Sequence, residues 1–149
     1  MIDCVARDRA ALLLRRFAAG RITNFQFDEE YPGPSVDAGV RAVGDRAWNL
    51  YDDFREHRLE PAPALRREIA RWVVFLHSDA EYAWPRCPFV SIRAPRWLNW
   101  LSGGLLHRRQ DEEFARWARR GDYSAWPFHT TGQVAAAAAQ PRYLRGTGA

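Results

Sequence analysis

The chain contains no lysine: all 22 of its basic residues are arginine. Cysteine is almost as scarce, with only Cys4 and Cys87, and Met1 is the single methionine. Two cysteines allow at most one bridge, so no disulfide framework holds the fold, and a reduced compartment is the expectation. No stretch approaches about eighteen consecutive apolar residues without charge, so no membrane-spanning helix and no membrane partner are expected. The opening Met1-Ile2-Asp3-Cys4-Val5-Ala6-Arg7-Asp8 lacks the apolar run of a signal peptide, which points to a cytoplasmic location. The missing lysine has two readings. Arginine suits bidentate recognition of phosphate and carboxylate, but an Arg, Ala and Gly excess without Lys is also what the codon usage of a GC-rich genome produces. The second explanation applies to the whole chain and is preferred.

What is present bounds the fold. At 149 residues the chain is one domain long, enough to bury roughly two thirds of the surface its unfolded form exposes. Seven Trp, eight Phe and five Tyr give a heavy aromatic load, and each such side chain buries on the order of 150–250 Å². A dense core follows, with no need of metal or disulfide. The formal charge of +4 is unevenly spread. Residues 1–60 carry nine Arg against eleven acids, net −2, whereas residues 61–149 carry thirteen Arg against seven acids, net +6.

The acids have one conspicuous gap. From Tyr82 to Gln110 there is no Asp or Glu, while the same stretch holds five arginines (Arg86, Arg93, Arg96, Arg108, Arg109), three tryptophans (Trp84, Trp97, Trp100) and Phe89. Here a positive, aromatic surface is not neutralised by its own sequence neighbours, which makes it the leading candidate for contact with a partner.

The periodicity predicts an all-α fold with about four main helices. The first carries apolar residues at Val5, Leu12, Leu13 and Phe17 and stops at Gly20. Thr23 is an N-cap for a short helix from Asn24 to Tyr31, ended by Pro32. After Asp37, Val40, Val43, Ala47, Leu50, Tyr51 and Phe54 recur at the helical period, predicting a long helix to about Arg55. Gly44 within it costs about 1 kcal/mol relative to Ala and marks a close crossing. The next helix, Ala64 to His77, carries Leu65, Ile69, Trp72, Val73 and Leu76, with Val74 and Phe75 widening its apolar surface. A helix apolar on most sides is a central one, and Tyr82-Ala83-Trp84-Pro85 is expected to shelter its last turn. Prolines and Gly103-Gly104 argue for irregular structure up to about 104, with Phe89–Arg93 extended and Trp97–Leu101 a short helical turn. The last helix runs from Asp111 to Arg120 with Gly121 as its stop. Residues 1–131 are read as a single helical domain. Residues 132–149, rich in Ala and Gly, are read as a tail of marginal order.

Three segments, Gly20-Arg21-Ile22-Thr23-Asn24, Tyr51-Asp52-Asp53-Phe54-Arg55-Glu56-His57-Arg58-Leu59 and Phe75-Leu76-His77-Ser78-Asp79-Ala80-Glu81-Tyr82-Ala83-Trp84-Pro85, resemble a group of small bacterial helical proteins of unknown function. The resemblance implies a bacterial, single-domain helical protein. It carries no catalytic residue with it.

Chemistry has three places to reside. Asp52, Asp53, Glu56 and His57, if brought to His77, Asp79 and Glu81, would form a set of metal-ligating types, but the Glu-x-x-His pattern of helical di-iron sites is absent; no metal site is assigned. Cys87 lies near arginines that favour a thiolate, yet no nucleophile signature surrounds it, and Gly103-Gly104 lacks the pattern of a phosphate loop. No catalytic residue and no cofactor are assigned. The third place is the basic aromatic stretch. Trp and Arg dominate protein interface hot spots, and they also stack on bases and hold phosphates of single-stranded nucleic acid. Against both stands a structural role, with Trp84, Trp97 and Trp100 closing the core while arginines extend outward. The spacing of Trp97 and Trp100 puts their rings on one side of a helical turn, so a common fate is expected for them.

The expectation is a non-catalytic cytosolic protein acting through a protein partner, as an adaptor, regulator or immunity-type inhibitor. Its contact residues are Arg93, Arg96, Trp97, Trp100, Arg108 and Arg109, with Asp28, Glu29 and Glu30 as a second patch. A nucleic-acid-binding role for residues 82–110 is the alternative, and a metal-dependent enzyme ranks below it. Oligomeric state is not fixed by the sequence.

Overall fold

Three side-chain oxygens set where the first helices begin. Asp3, Thr23 and Asp37 sit in extended backbone and accept from the amides of Ala6, of Gln26, and of Gly39 and Val40. Each satisfies an amide that the first helical turn leaves without a partner. At Thr23 the cap is reciprocal, since Gln26 returns a bond to the Thr23 amide at 3.0 Å. The computed structural model describes residues 1–33, 35–52, 54–85, 100 and 105–140. Among these the chain is helical: α1 (Cys4–Ala18), α2 (Asn24–Glu30), α3 (Ala38–Trp48), α4 (Pro63–Leu76), α5 (Leu105–Ala118) and α6 (Thr131–Ala139), with a 3-10 turn at Tyr123–Ala125. No strand occurs among the described residues; one isolated bridge joins Thr23 to Arg58.

Helix α4 is central, packing against α1, α3 and α6. Its Ile69, Trp72, Phe75 and Leu76 are buried. Around it the aromatic load falls into two groups. On the α1 and α2 side, Phe17 stacks on Phe27 at 4.7 Å and Tyr51 meets Phe17 edge-on at 5.6 Å. On the other side Trp72 meets Trp126, and Phe75 meets both Phe128 and Tyr82, all edge-on. Of the Tyr82–Pro85 segment, Tyr82 lies against Phe75 in the last turn of α4.

The apolar stripe of α1 differs from the one read in the sequence. Val5 and Leu12 face solvent, and the buried positions are Arg7, Ala10, Ala11, Leu13, Leu14 and Phe17. The cause is Arg7, whose guanidinium is wholly buried. Its Nε donates to Asp37 Oδ2 at 2.6 Å, its Nη1 donates to the carbonyls of Ser78 and Ala80, and its Nη2 donates to Asp37 Oδ1. The charge lies 4.8 Å over the Phe75 ring. One side chain therefore ties α1 to the start of α3 and to the chain leaving α4.

Helix α3 ends at Trp48, well short of Arg55. Asn49 and Leu50 turn back on Arg46 and Ala47, and the following loop is held by Asn24. This wholly buried side chain donates to the carbonyls of Asp52 (2.8 Å) and Arg55 (3.0 Å) and accepts from the His57 amide (2.8 Å). The loop after α3 is thus fixed by hydrogen bonds to a side chain at the start of α2. Leu50 and Tyr51 still pack on the core from this loop, but Phe54 does not.

Gly44 lies where Tyr31 crosses α3. A Cβ there would sit 2.6 Å from Tyr31 Cε1, and the ring has little room to yield because its hydroxyl donates to the Val40 carbonyl at 2.9 Å. Gly44→Ala gains about 1 kcal/mol of helix propensity but overpacks the contact, which costs about 1–3 kcal/mol. Net destabilisation is expected in urea unfolding; a stabilised variant would show that Tyr31 moves freely.

Two later elements extend beyond their sequence readings. Helix α5 begins at Leu105 rather than Asp111. The alanine run forms α6, opened by a reciprocal cap between Thr130 and Gln133, and its Val134 and Ala137 pack against the core.

Candidate functional site

The basic aromatic stretch divides between core and surface. Trp84 is 4% exposed. Its Nε1 donates to the Phe128 carbonyl at 2.9 Å, and its ring lies against Trp117, Tyr123 and His129. Trp117 Nε1 in turn donates to the Pro85 carbonyl at 2.8 Å. The stretch is therefore fastened to the core as far as Pro85. Trp100 is the opposite case, 80% exposed. Of the three tryptophans, then, one closes the core and one stands in solvent.

Arg108 is exposed on α5, where its Nε lies 3.1 Å from Glu112 Oε1. An exposed pair one helical turn apart is worth about 0.3–0.5 kcal/mol, too little to hold Arg108 from a partner. An acid just beyond the end of the acid-free run thus reaches back to one of its arginines. Arg93, Arg96 and Trp97, together with Arg86, Cys87, Phe89 and Gly103-Gly104, lie outside the described residues, as does the side chain of Arg109. The structure therefore places Trp100 and Arg108 of the six predicted contact residues.

The acidic set is spread along α2. Asp28 accepts from the Tyr51 hydroxyl at 3.4 Å, Glu30 lies 4.0 Å from Arg16, and Glu29 is exposed. The groups considered as metal ligands have local partners instead. Asp52 Oδ1 accepts from the Phe54 amide, Glu56 accepts from the Thr23 hydroxyl, and His57 Nδ1 lies 2.9 Å from the Arg55 carbonyl. The nearly buried His77 ring lies 3.4 Å from Asp8 Oδ1, across the α1–α4 contact. Among the described residues no three His, Cys, Asp or Glu come together in a way that would hold a metal ion; Asp53 lies outside them.

The buried ion pair of Asp37 with Arg7 is a charged site that the sequence reading did not identify. Burial on its own pushes the Asp37 carboxyl up. The Arg7 hydrogen bond, the Asp3 amide, the Arg7 charge and the Gly39 amide outweigh it and hold the group below the usual carboxylate range. Both of its oxygens are occupied by structural donors, so the pair is a clamp and leaves no acceptor for substrate chemistry. Its signal was in the sequence: positions 7, 10, 11 and 14 form a helical stripe in which Arg7 is the one polar member.

No protein-family model, curated protein or solved structure matches the chain. Among the described residues no helix is long and apolar enough to cross a membrane.

Proposed function

We propose that this chain is a non-catalytic bacterial binding protein of the cytosol, acting through a protein partner as an adaptor, regulator or immunity-type inhibitor. The observation that carries the reading is Trp100, a tryptophan 80% exposed in a chain that buries Trp72, Trp84, Trp117 and Trp126. Leaving so large an apolar side chain in water forgoes about 1.5–3 kcal/mol of burial, a loss that occlusion by a partner recovers. Exposed Arg108 supplies directional donors on the same stretch, and Arg93, Arg96, Trp97 and Arg109 complete the proposed surface. Tryptophan and arginine are the side chains whose truncation costs interfaces most.

Replacing Arg96 and Trp97 together by Ala tests the surface. Partner affinity is expected to fall at least a hundredfold, as loss of two hot-spot side chains at about 2 kcal/mol each implies, while the helical circular dichroism stays that of the wild type. Normal binding by the variant would show that the surface is wrongly assigned. Nucleic acid is the second reading, supported by the same exposed Trp100 in an arginine-rich stretch. It requires an affinity that falls steeply with salt, because each neutralised phosphate releases counterions.

A further inference from the structure

Two surfaces of opposite charge occupy different parts of the chain, and neither is neutralised by ion pairs among the described residues. The first is the edge formed by α2 and the loop at 50–58. Phe54 is 94% exposed and Phe25 45%. Phe54 is not displayed by a loose loop: Asn24 Nδ2 binds the Asp52 and Arg55 carbonyls on either side of it, and its own amide donates to Asp52 Oδ1 at 2.8 Å. Around the two rings lie the exposed carboxylates Asp28, Glu29, Asp52 and Glu56. Some of them accept neutral hydroxyls, from Tyr51 and Thr23. None forms an ion pair among the described residues. Arg55 and Arg58 lie on the same loop and leave the edge with an excess of acid.

The second surface is the C-terminal end of α5. Arg116, Arg119 and Arg120 are exposed there. The Nε atoms of Arg116 and Arg119 rest on carbonyls one turn back, at 3.4 and 3.1 Å, and none of the three arginines pairs with a carboxylate among the described residues. The supports of the two surfaces differ, since α2 packs on α1 while α5 is attached through Phe114 and Trp117 to Trp84 and Tyr123.

We propose that the Phe25–Phe54 edge docks on the arginine end of α5 in a second copy of this chain. A second copy is the occupant for which both halves of the complementarity are present: an acidic edge with two displayed rings, and a cluster of guanidiniums that hydrogen-bond carboxylates and stack on aromatic faces. The contact joins two different surfaces, so association closes a pair where both contacts form between the same two copies and otherwise builds short chains or a ring. It is carried largely by exposed charges and is therefore screened by salt. It does not rest on the surface proposed around Trp100.

The test is the average mass of the purified full-length chain, by light scattering over a wide concentration range at low and high salt. The mass is expected to rise with concentration at low salt and to return to that of the monomer at high salt. Phe54→Ser on one side, and Arg116→Glu with Arg119→Glu on the other, should each abolish the rise. All three side chains are exposed, so the helical circular dichroism of the variants should be unchanged. Mixing the two variants decides the geometry. The edge is intact in one and the arginine end in the other, so the mixture should reach the mass of a pair and stop there. A wild-type chain that stays monomeric throughout, variants that associate as the wild type does, or a mixture that stays monomeric would each overturn the proposal. The first of these would leave a basic protein of another kind as the occupant of the edge.

Discussion

Asp37→Ala is expected to cost about 3–5 kcal/mol of folding stability, the usual consequence of removing one partner of a buried ion pair. Arg7 would remain wholly enclosed with no counter-charge, its nearest remaining acceptors being the carbonyls of Ser78 and Ala80. The α3 amides of Gly39 and Val40 and the amide of Asp3 would lose their acceptor at the same time. Asp37→Asn separates the two losses, because an amide oxygen still caps α3 while the charge is gone; it should cost less than the Ala variant. Replacing both partners by apolar residues is not expected to restore the wild type, because the Ser78 and Ala80 carbonyls then lack donors, at about 1–3 kcal/mol for each buried group left unsatisfied. The same site sets an acid limit. A carboxyl held below its unfolded value contributes stability that is complete above about pH 3.9 and is lost as the pH falls through the lower folded value. Urea midpoints followed downward from neutral pH should therefore drop in this acid range for the wild type. The drop should be shallower for Asp37→Asn, and equal slopes would show that Asp37 does not titrate with folding.

Trp84→Ala and Trp100→Ala are expected to part by several kcal/mol. Truncating a buried tryptophan costs about 3–5 kcal/mol, and Trp84 also leaves the Phe128 carbonyl without its donor. Its removal opens the cluster of Trp117, Tyr123 and His129, which connects α5 to the turn before α6. Trp100 is 80% exposed, so its truncation should change stability by no more than about 0.5 kcal/mol while weakening the partner. Chemical unfolding of the two variants side by side is the check. Equal losses would mean that Trp100 is part of the core and would remove the main support for the binding surface.

What could be read from the sequence followed the range of the interaction that fixes it. The cap at Thr23, the glycine after α1 and the central position of α4 depend on residues a few positions apart, and local pattern revealed them. The loop that follows α3 is held by Asn24, twenty-eight residues before the Asp52 carbonyl it binds, and helical periodicity through Leu50, Tyr51 and Phe54 gave no hint of it. The face of α1 was misread for a similar reason. Arg7 can be buried only because Asp37, thirty residues away, meets it. Composition marked the stretch at 82–110 as unusual, but not which of its tryptophans is buried. That division is made by the Phe128 carbonyl and the Trp117 ring, contributed from downstream of the stretch.

The central claim is that the chain acts by holding another protein, and the most direct measurement is what accompanies the tagged protein from lysate of its native cell at low and at high salt. Bound proteins and the absorbance ratio at 260 and 280 nm are to be recorded together, for the wild type and for Trp100→Ala. One stoichiometric protein that survives high salt and is lost from Trp100→Ala is the predicted result. Nuclease-sensitive absorbance that disappears at high salt, with no protein in stoichiometric amount, would contradict it.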